Sequence, residues 1–395
     1  MVSRSYSIWG SVLSPFLLKV VALCRYAAVE VRTLPDDGTL FENVDAVLRV
    51  ARIKKGKQPL TFPRMTEYDE FPLTPYLLGE KGENLFDSSA IAEWFDARFI
   101  APGCKLIPED PVLAFSARLI DEYFDEWGLY MVHHNRWVTA ARGNDAGDRL
   151  AREYRSVIVP PLRSRFSRWF SERQTRRLPY LFSVADPERP MEGLADKRQP
   201  PAPDGFPATH ELLETAFRRV LAALEGILVR SPFLLGDRMT LADASAYGQL
   251  AMNTQDLEAD ELIEELAPAT HAWLGRIANG ETPPAHASGS AELRMIPELD
   301  ALHEEICRTF VPLMRQNEAA YMRNLAVGEK IFNEAAFDAG RALYKGTIDA
   351  HPFRAVAKTF QVKVWRRLLG EWEQLTPEQR GRVPAFARAI GNEPD

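Results

Sequence analysis

The sequence has few cysteines, no long apolar run and no excess of positive charge. Its three cysteines, Cys24, Cys104 and Cys307, are far apart and form no CxxC pair, so neither a disulfide framework nor a zinc half-site is expected. No apolar run approaches the roughly 20 residues that span a bilayer. The net charge of −7 gives no general attraction to nucleic acid or anionic lipid. We therefore expect a cytoplasmic protein without nucleic-acid or membrane partners.

The length and composition predict a folded protein of more than one domain. A chain of 395 residues with 46% hydrophobic and 26% charged residues can form two or three cores. Residues 184–207 contain six prolines and few large apolar residues, which is typical of an exposed loop. Residues 280–291 have the Pro, Ala, Ser and Gly content of a linker. We expect domains at 1–103, 108–280 (which includes the long loop) and 285–395.

The first hundred residues predict a small α/β domain. Ser14 and Pro15 are typical of a helix start, with a side-chain cap and a proline at the first helical position. Asp87 or Ser88 is expected to cap a later helix of the same domain. The predicted strands occupy residues 6–9, 29–34, 74–78 and 84–86.

From about residue 108 the spacing of apolar residues becomes helical. Tyr123, Trp127 and Tyr130 recur at intervals of three and four, which predicts one buried face of a long helix. A further apolar stripe over residues 356–372 predicts a helix in the last segment. The sequence thus predicts an α/β domain, then an all-α domain, then a C-terminal helical extension.

Three short motifs resemble those of the cytosolic glutathione transferases. They are Ser14-Pro15-Phe16, Thr74-Pro75-Tyr76-Leu77 and Asp87-Ser88-Ser89-Ala90-Ile91. FLLG at 233–236 followed by TLAD at 240–243 is similar to the capping motif of that family's helical domain, and Trp273 resembles a tryptophan near the end of that domain. The resemblance covers roughly residues 5 to 280.

This resemblance implies a thioredoxin-like N-terminal domain followed by an all-α glutathione transferase C-terminal domain. Glutathione is then the co-substrate, held mainly by the first domain, and a small electrophile lies between the two. Detoxification and a possible homodimer are implied in the same way. Two alternatives remain open: a glutathione-dependent lyase, isomerase or dehalogenase, and a non-catalytic protein that keeps the fold to bind a partner.

Ser14 is the candidate residue for activating the glutathione thiol. The thiolate is the nucleophile, and a free thiol with a pKa near 8.5 is mostly protonated at neutral pH. In the family a serine, tyrosine or cysteine near this helix start contacts the sulfur, and Ser14 is the matching position. Ser11 and Tyr6 are weaker candidates, and the simpler role for Ser14 is that of a helix cap. No thiol stands where dithiol oxidoreductases carry Cys-Pro-x-Cys, so disulfide exchange is not expected.

The other two motifs predict the glutathione-binding residues by resemblance. A cis peptide bond at Pro75 would turn the backbone of Thr74 toward the cysteinyl part of glutathione. Asp87 and Ser88 would hold the γ-glutamyl group, although both also fit simple helix capping. The glycyl carboxylate needs a cation, for which the candidates are Lys54, Lys55, Lys57 and Arg64.

The electrophile site is expected to be apolar and aromatic. Phe16, Tyr123, Trp127 and Tyr130 are the candidates, because an aromatic wall suits apolar substrates. Aromatic residues at helical spacing also serve simply as core. His133 and His134 are adjacent, so on a helix their side chains would point about 100° apart and could not bind one metal ion together. No metal site is expected.

Overall fold

The computed structural model describes residues 5–69, 74–186, 188, 199–288 and 291–391. Its strands are β1 (Ser5–Trp9), β2 (Glu30–Leu34), β3 (Tyr76–Gly79), β4 (Asn84–Leu85), β5 (Leu343–Ile348) and β6 (His351–Val356). Its α-helices are α1 (Pro15–Tyr26), α2 (Leu40–Lys54), α3 (Ser88–Arg98), α4 (Pro111–Tyr123), α5 (Leu129–His134), α6 (Ala146–Glu153), α7 (Pro160–Arg176), α8 (His210–Leu228), α9 (Leu241–Asn253), α10 (Leu257–Leu266), α11 (Pro268–Ala278), α12 (Leu299–Ala326), α13 (Glu334–Asp338), α14 (Thr359–Glu373), α15 (Pro377–Arg380) and α16 (Pro384–Gly391). Over these ranges, none of the helices has the length and apolar character needed to cross a bilayer.

The first four strands form one mixed sheet in the order β2-β1-β3-β4. β1 pairs parallel with β2 through the crossover helix α1, and β3 pairs antiparallel with both β1 and β4. A β-α-β unit followed by a ββα unit is the thioredoxin-like arrangement, so the predicted fold of the N-terminal domain is confirmed. Helix α2, which the sequence did not place, connects β2 to the second unit.

A long helical stretch forms the centre of the second domain. α4, a π-helical turn at Phe124–Gly128, α5 and a second π-helical turn at Asn135–Thr139 follow one another without a break. We call residues 111–139 the long helix. Every residue of α9 is buried, and this helix packs between the long helix and α1. The expected loop at 184–207 lies partly outside the described residues, because 187 and 189–198 are not among them.

Gly248 allows α9 to approach α1 closely. A Cβ atom at this position would lie 2.6 Å from the carbonyl oxygen of Pro15 and 2.7 Å from the Cβ of Lys19. Gly248→Ala is expected to lower the free energy of unfolding by about 1–2 kcal/mol, because crowding costs about 1–3 kcal/mol and helix propensity returns up to about 1 kcal/mol. Urea denaturation measures this change. Gly226→Ala is the control: a Cβ there meets nothing within 4 Å, so this variant should be neutral or stabilised, and equal losses in both variants would contradict the prediction.

The C-terminal segment contains helices, as predicted, and also a hairpin that the sequence analysis missed. β5 and β6 pair antiparallel across a turn at Asp349 and Ala350, both with positive φ. Asp-Ala is a weaker turn signal than Asn-Gly or Asp-Gly, so the alternation of the two strands went unrecognised. Val356, which we assigned to the helical stripe, therefore lies in β6, and α14 begins at Thr359.

The apolar side of α14 packs against the long helix. The ring centroids of Trp372 and Phe115 are 5.1 Å apart, and Trp372 also contacts Phe386 at 4.9 Å. Trp365 and Leu368 are buried in the same layer. The stripe of this basic helix is thus part of the protein core.

Candidate functional site

The pairing of β1 with β3 brings two of the predicted motifs together. Trp9, the last residue of β1, lies opposite Tyr76, the first residue of β3. The loop that follows Trp9 and leads to Ser14 is therefore next to Thr74 and Pro75. A Cβ at Gly10 would lie 3.4 Å from the Cβ of Pro75, which shows how closely the two segments approach. The Thr74–Pro75 peptide bond is cis, the isomer that the resemblance implies.

Asp87 joins the same end of the sheet. Leu85 of β4 pairs with Leu77, and continuing this antiparallel register by two residues brings Asp87 beside Pro75. Asp87 has φ 65°, a strained conformation for a residue with a side chain. Its carboxylate accepts hydrogen bonds from the backbone N–H groups of Ser89 and Ala90 at 3.1 and 3.2 Å. It therefore caps α3, and burial raises the pKa of its carboxyl.

Ser14 is the N-cap residue of α1, with extended dihedral angles of φ −90° and ψ 125°. Its half-buried side chain makes no capping hydrogen bond, so the hydroxyl stays available at the positive end of the helix. Ser11 differs, since its hydroxyl accepts a hydrogen bond from the Leu13 N–H at 3.1 Å. Of the two loop serines, only Ser14 has a hydroxyl free of bonds to the described residues.

A buried ion cluster joins α1 to α3 and to the long helix, and the sequence analysis did not foresee it. The Lys19 ammonium lies 2.6 Å from carboxylate oxygens of both Asp121 and Asp125 and donates to the Ser89 hydroxyl at 2.9 Å. Lys19 is 1% exposed, and although burial opposes its charge, the two carboxylates hold its pKa above the ordinary value. The Ser88 hydroxyl lies 3.5 Å from Asp125. The only sequence signal was a lysine at a core position of an apolar helix.

The loop before Ser14 is held by the helical domain. The Arg136 guanidinium donates to the carbonyl oxygen of Leu13 at 2.8 Å and pairs with Asp256 at 2.6 Å. The Gln255 side-chain amide donates to the carbonyl oxygen of Val12 at 3.0 Å. The candidate thiol-activating segment of the first domain is thus fixed by side chains of the second.

The predicted aromatic wall lies inside the helical core. Tyr123 and Trp127 have no exposed surface, and Tyr130 is 3% exposed. Tyr123 packs on Phe310 of α12 and Trp127 on Phe182, with ring centroids 6.4 and 5.4 Å apart. This face of the long helix is covered by α8, α12 and the start of α14. Phe16, in contrast, is half-buried beside Ser14.

Other residues of the long helix face α1. Leu13 lies beside Arg136, and Lys19 lies beside Asp121 and Asp125. α1 therefore runs antiparallel to the long helix, and residues 14–18 lie opposite residues 126–133. The half-buried positions of the long helix on this side are Glu126, Leu129 and His133. We take these three side chains and Phe16, which is also half-buried, as the lining of the candidate cleft next to Ser14.

The C-terminal segment reaches across both domains. The Lys363 ammonium of α14 pairs with Asp69 at 2.9 Å, and Arg367 pairs with Glu93 of α3. At the start of α14, Gln361 donates to the Tyr130 hydroxyl at 2.9 Å. α14 thus contacts the N-terminal domain at Asp69 and Glu93 and the helical domain at Tyr130.

The four cations considered for the glycyl carboxylate are all exposed. The Lys54 ammonium lies 6.0 Å from the ring centroid of Tyr76, the residue after Pro75. Lys54 is therefore beside the candidate glutathione site.

Comparison with known families assigns the helical part of the chain. Residues 207–276 match the family model described as the glutathione S-transferase C-terminal domain. This match covers α8 to α11 and includes the TLAD capping box, in which Thr240 and Asp243 exchange hydrogen bonds. A thioredoxin-like domain followed by this helical domain defines a glutathione transferase architecture. Residues 207–276 are thereby assigned to a glutathione S-transferase C-terminal domain. No curated protein matches its sequence.

Solved structures with a similar chain course share little sequence with this one. A glutathione S-transferase from Rhodospirillum rubrum F11 is 16% identical with a TM-score of 0.37, covering 74% of this chain and 94% of that one. One from Methylobacillus flagellatus KT, with glutathione bound, is 14% identical with a TM-score of 0.38, covering 71% and 99%. The β-etherase LigF from Sphingobium sp. strain SYK-6 is 17% identical with a TM-score of 0.38, covering 69% and 94%. The assignment of the helical domain rests on the family-model match over residues 207–276.

Proposed function

We propose that this protein is an enzyme that binds glutathione and uses Ser14 to activate its thiol for attack on an electrophile. The observation that supports this most is the position of Ser14. Its hydroxyl is not engaged in capping, and it stands at the start of α1 next to the cis Thr74–Pro75 bond and the Asp87 cap. A thiol placed there meets both a hydroxyl donor and the positive end of a helix.

The energy required is within reach of these groups. Lowering a thiol pKa of about 8.5 by two units requires about 2.7 kcal/mol of extra stabilisation of the thiolate. A hydrogen bond to a charged group contributes about 1.5–3 kcal/mol. A helix N-terminus adds about 0.3–1 kcal/mol. The Ser14 hydroxyl and α1 together therefore suffice.

The remaining motif residues supply binding. The backbone of Thr74 would pair with the cysteinyl part of glutathione, and the Asp87 carboxylate with the γ-glutamyl ammonium. Ser88 and the first amides of α3 would hold the γ-glutamyl carboxylate. Lys54 is our choice for the glycyl carboxylate, because it lies near Tyr76.

The test is calorimetric glutathione binding combined with ultraviolet titration of the bound thiol. We expect the wild-type thiol to have a pKa below its free value, and Ser14→Ala to raise it by about one unit, which corresponds to one lost hydrogen bond. Ser11→Ala is the matched control and should leave the thiol pKa unchanged. Ser14→Thr keeps the hydroxyl and should behave more like wild type.

Two results would overturn the proposal. If millimolar glutathione does not bind, the chain is a non-catalytic member of its family. If glutathione binds but Ser14→Ala leaves the thiol pKa unchanged, another group activates the sulfur, and Ser11→Ala shows whether that group is Ser11.

A further inference from the structure

Two cations flank the ring of Tyr180 at the edge of the cleft. The Lys358 ammonium lies 4.5 Å from the ring centroid and donates to the Tyr180 carbonyl oxygen at 3.2 Å and to the Tyr130 hydroxyl at 2.6 Å. The Arg177 guanidinium lies 5.7 Å from the same centroid. The side chains of Lys358, Arg177 and Tyr180 are all half-buried. We call these three residues the cationic wall.

The cationic wall adjoins the row of cleft residues on the long helix. Tyr130, which accepts the Lys358 hydrogen bond, is one turn after Glu126 and one residue after Leu129. The charges of Arg136 and Arg177 assist burial in lowering the pKa of His133 to about 3. Arg177 is therefore near this histidine, whose ring is neutral at physiological pH. The wall thus lies beside the part of the long helix that carries Tyr130 and His133.

The negative charges near the wall do not balance its positive ones. Arg177 and Arg173 share one carboxylate, that of Glu334, at 3.0 and 3.5 Å. Within the described ranges, no carboxylate oxygen lies within 4 Å of the Lys358 ammonium. Glu126 is the acidic residue that most raises the pKa of Lys358. Burial raises the pKa of the Glu126 carboxyl to about 7, so this group is only partly charged. Burial lowers the pKa of Lys358 to about 8, so its ammonium is still mostly charged at neutral pH. The three cations then face at most two anions, which leaves positive charge for a ligand.

We propose that the cationic wall binds an anionic group, such as a carboxylate, carried by the electrophilic substrate. The inference rests on the proposed function and narrows its substrate class. An ammonium and a guanidinium held beside an aromatic ring in a half-buried site match a carboxylate in both charge and hydrogen bonding. The apolar body of the substrate would lie against Phe16 and Leu129. The aromatic residues inside the core would not contact it.

A matched pair of ligands isolates the charge. The S-(4-carboxy-2,6-dinitrophenyl) conjugate of glutathione and its methyl ester on the aryl carboxylate differ by one negative charge and can be prepared without the enzyme. Calorimetry on the full chain should give the acid roughly tenfold tighter binding than the ester, the equivalent of one modest charge-assisted contact. Lys358→Gln should remove this preference, and Lys358→Arg should keep most of it.

Further measurements separate this inference from its alternatives. Arg177→Gln provides a second loss of charge should Lys358→Gln fail to fold, which circular dichroism would show. If the wild-type protein binds the acid and the ester with equal affinity, the inference is overturned. It is also overturned if Lys358→Gln and Arg177→Gln both still prefer the acid. If Lys358→Gln weakens glutathione itself while the acid preference persists, the wall binds a carboxylate of glutathione, and the inference also fails.

The proposed function is tested separately by turnover. With 4-chloro-3,5-dinitrobenzoate, the thiolate forms the C–S bond, chloride leaves with the electrons of the C–Cl bond, and the thiol proton passes to solvent. Failure of this turnover with the acid preference intact would count against the enzyme activity and not against the wall. Turnover of acid and ester with equal kcat/KM, together with equal conjugate affinities, would overturn the inference and leave the proposed function standing.

Discussion

Replacing Lys19 with methionine is expected to lower the free energy of unfolding by about 3–5 kcal/mol at neutral pH, because one partner of a buried ion pair is removed. The carboxylates of Asp121 and Asp125 each lie 2.6 Å from the Lys19 ammonium. In the variant they would stay in the core without this shared cation. Urea denaturation measures the loss. Arg32→Met is the control, since its pair with Glu42 is well exposed and exposed pairs contribute little.

The loss should depend on pH in a defined direction. Burial already raises the pKa of Asp125 to about 6 against the opposing charge of Lys19. Without that charge, the folded-state pKa of Asp125 would rise further above the unfolded value of about 3.9. Groups raised in this way stabilise the fold at low pH and lose that contribution as the pH rises through the folded value. The Lys19→Met deficit should therefore be larger at pH 7.5 than at pH 5, and a deficit that grows on acidification would contradict the buried-pair account.

The same substitution should weaken glutathione binding. Lys19 donates to Ser89 at the start of α3 and lies one turn beyond Ser14 on α1. Its loss would loosen the relative position of the two helix starts that carry Ser14 and Asp87. Calorimetry at a temperature where the variant is still folded separates this effect from unfolding.

Replacing Arg136 with methionine is expected to cost about 3 kcal/mol, because a buried guanidinium with three partners is lost. Those partners are the Asp256 carboxylate and the carbonyl oxygens of Leu13 and Met252. Asp256 would keep its second arginine, Arg149, which places the expected cost near the lower end of the range for broken buried pairs. Urea denaturation measures this change.

Arg136→Met should also act locally on the loop before Ser14. The Leu13 carbonyl would lose its fixed donor, so backbone amides of residues 12–14 should exchange hydrogen faster than in wild type. Arg149→Met is the matched control, because it removes the other arginine of Asp256 and leaves the Arg136–Leu13 hydrogen bond in place. Arg149 also contacts Gln255, which holds Val12, so the two variants are compared at residues 13 and 14. An equal acceleration of exchange in both variants would show that Arg136 does not anchor this loop.

Several features of the site were predictable because their signals are local. A serine before a proline predicts a helix start, an aspartate with a following serine predicts a cap, and the spacing of apolar residues predicts a helix. These rules gave the start of α1 at Pro15 and the cap at Asp87. The resemblance to known motifs then identified the starts of α1 and α3 as candidate glutathione-binding segments.

The sequence could not show which residues the fold would bring together. Lys19 finds its carboxylate partners 102 and 106 residues later, and Lys358 reaches Tyr130 across 228 residues. No periodicity or capping rule acts over such separations. The aromatic residues at 123, 127 and 130 fitted a substrate wall and a core equally well, and the packing of α12 and α14 put them in the core.

By itself, then, the sequence determined many elements of this protein: a β-α-β start, several helix caps, the helical domain and the motifs that resemble those of the glutathione transferases. Such features depend on interactions within a few turns of the chain, where residue type and spacing are sufficient. Only the tertiary structure decided what faces the cleft beside Ser14. That face is set by the antiparallel course of α1 along the long helix and by the return of the C-terminal segment, which brings Lys358 to Tyr130.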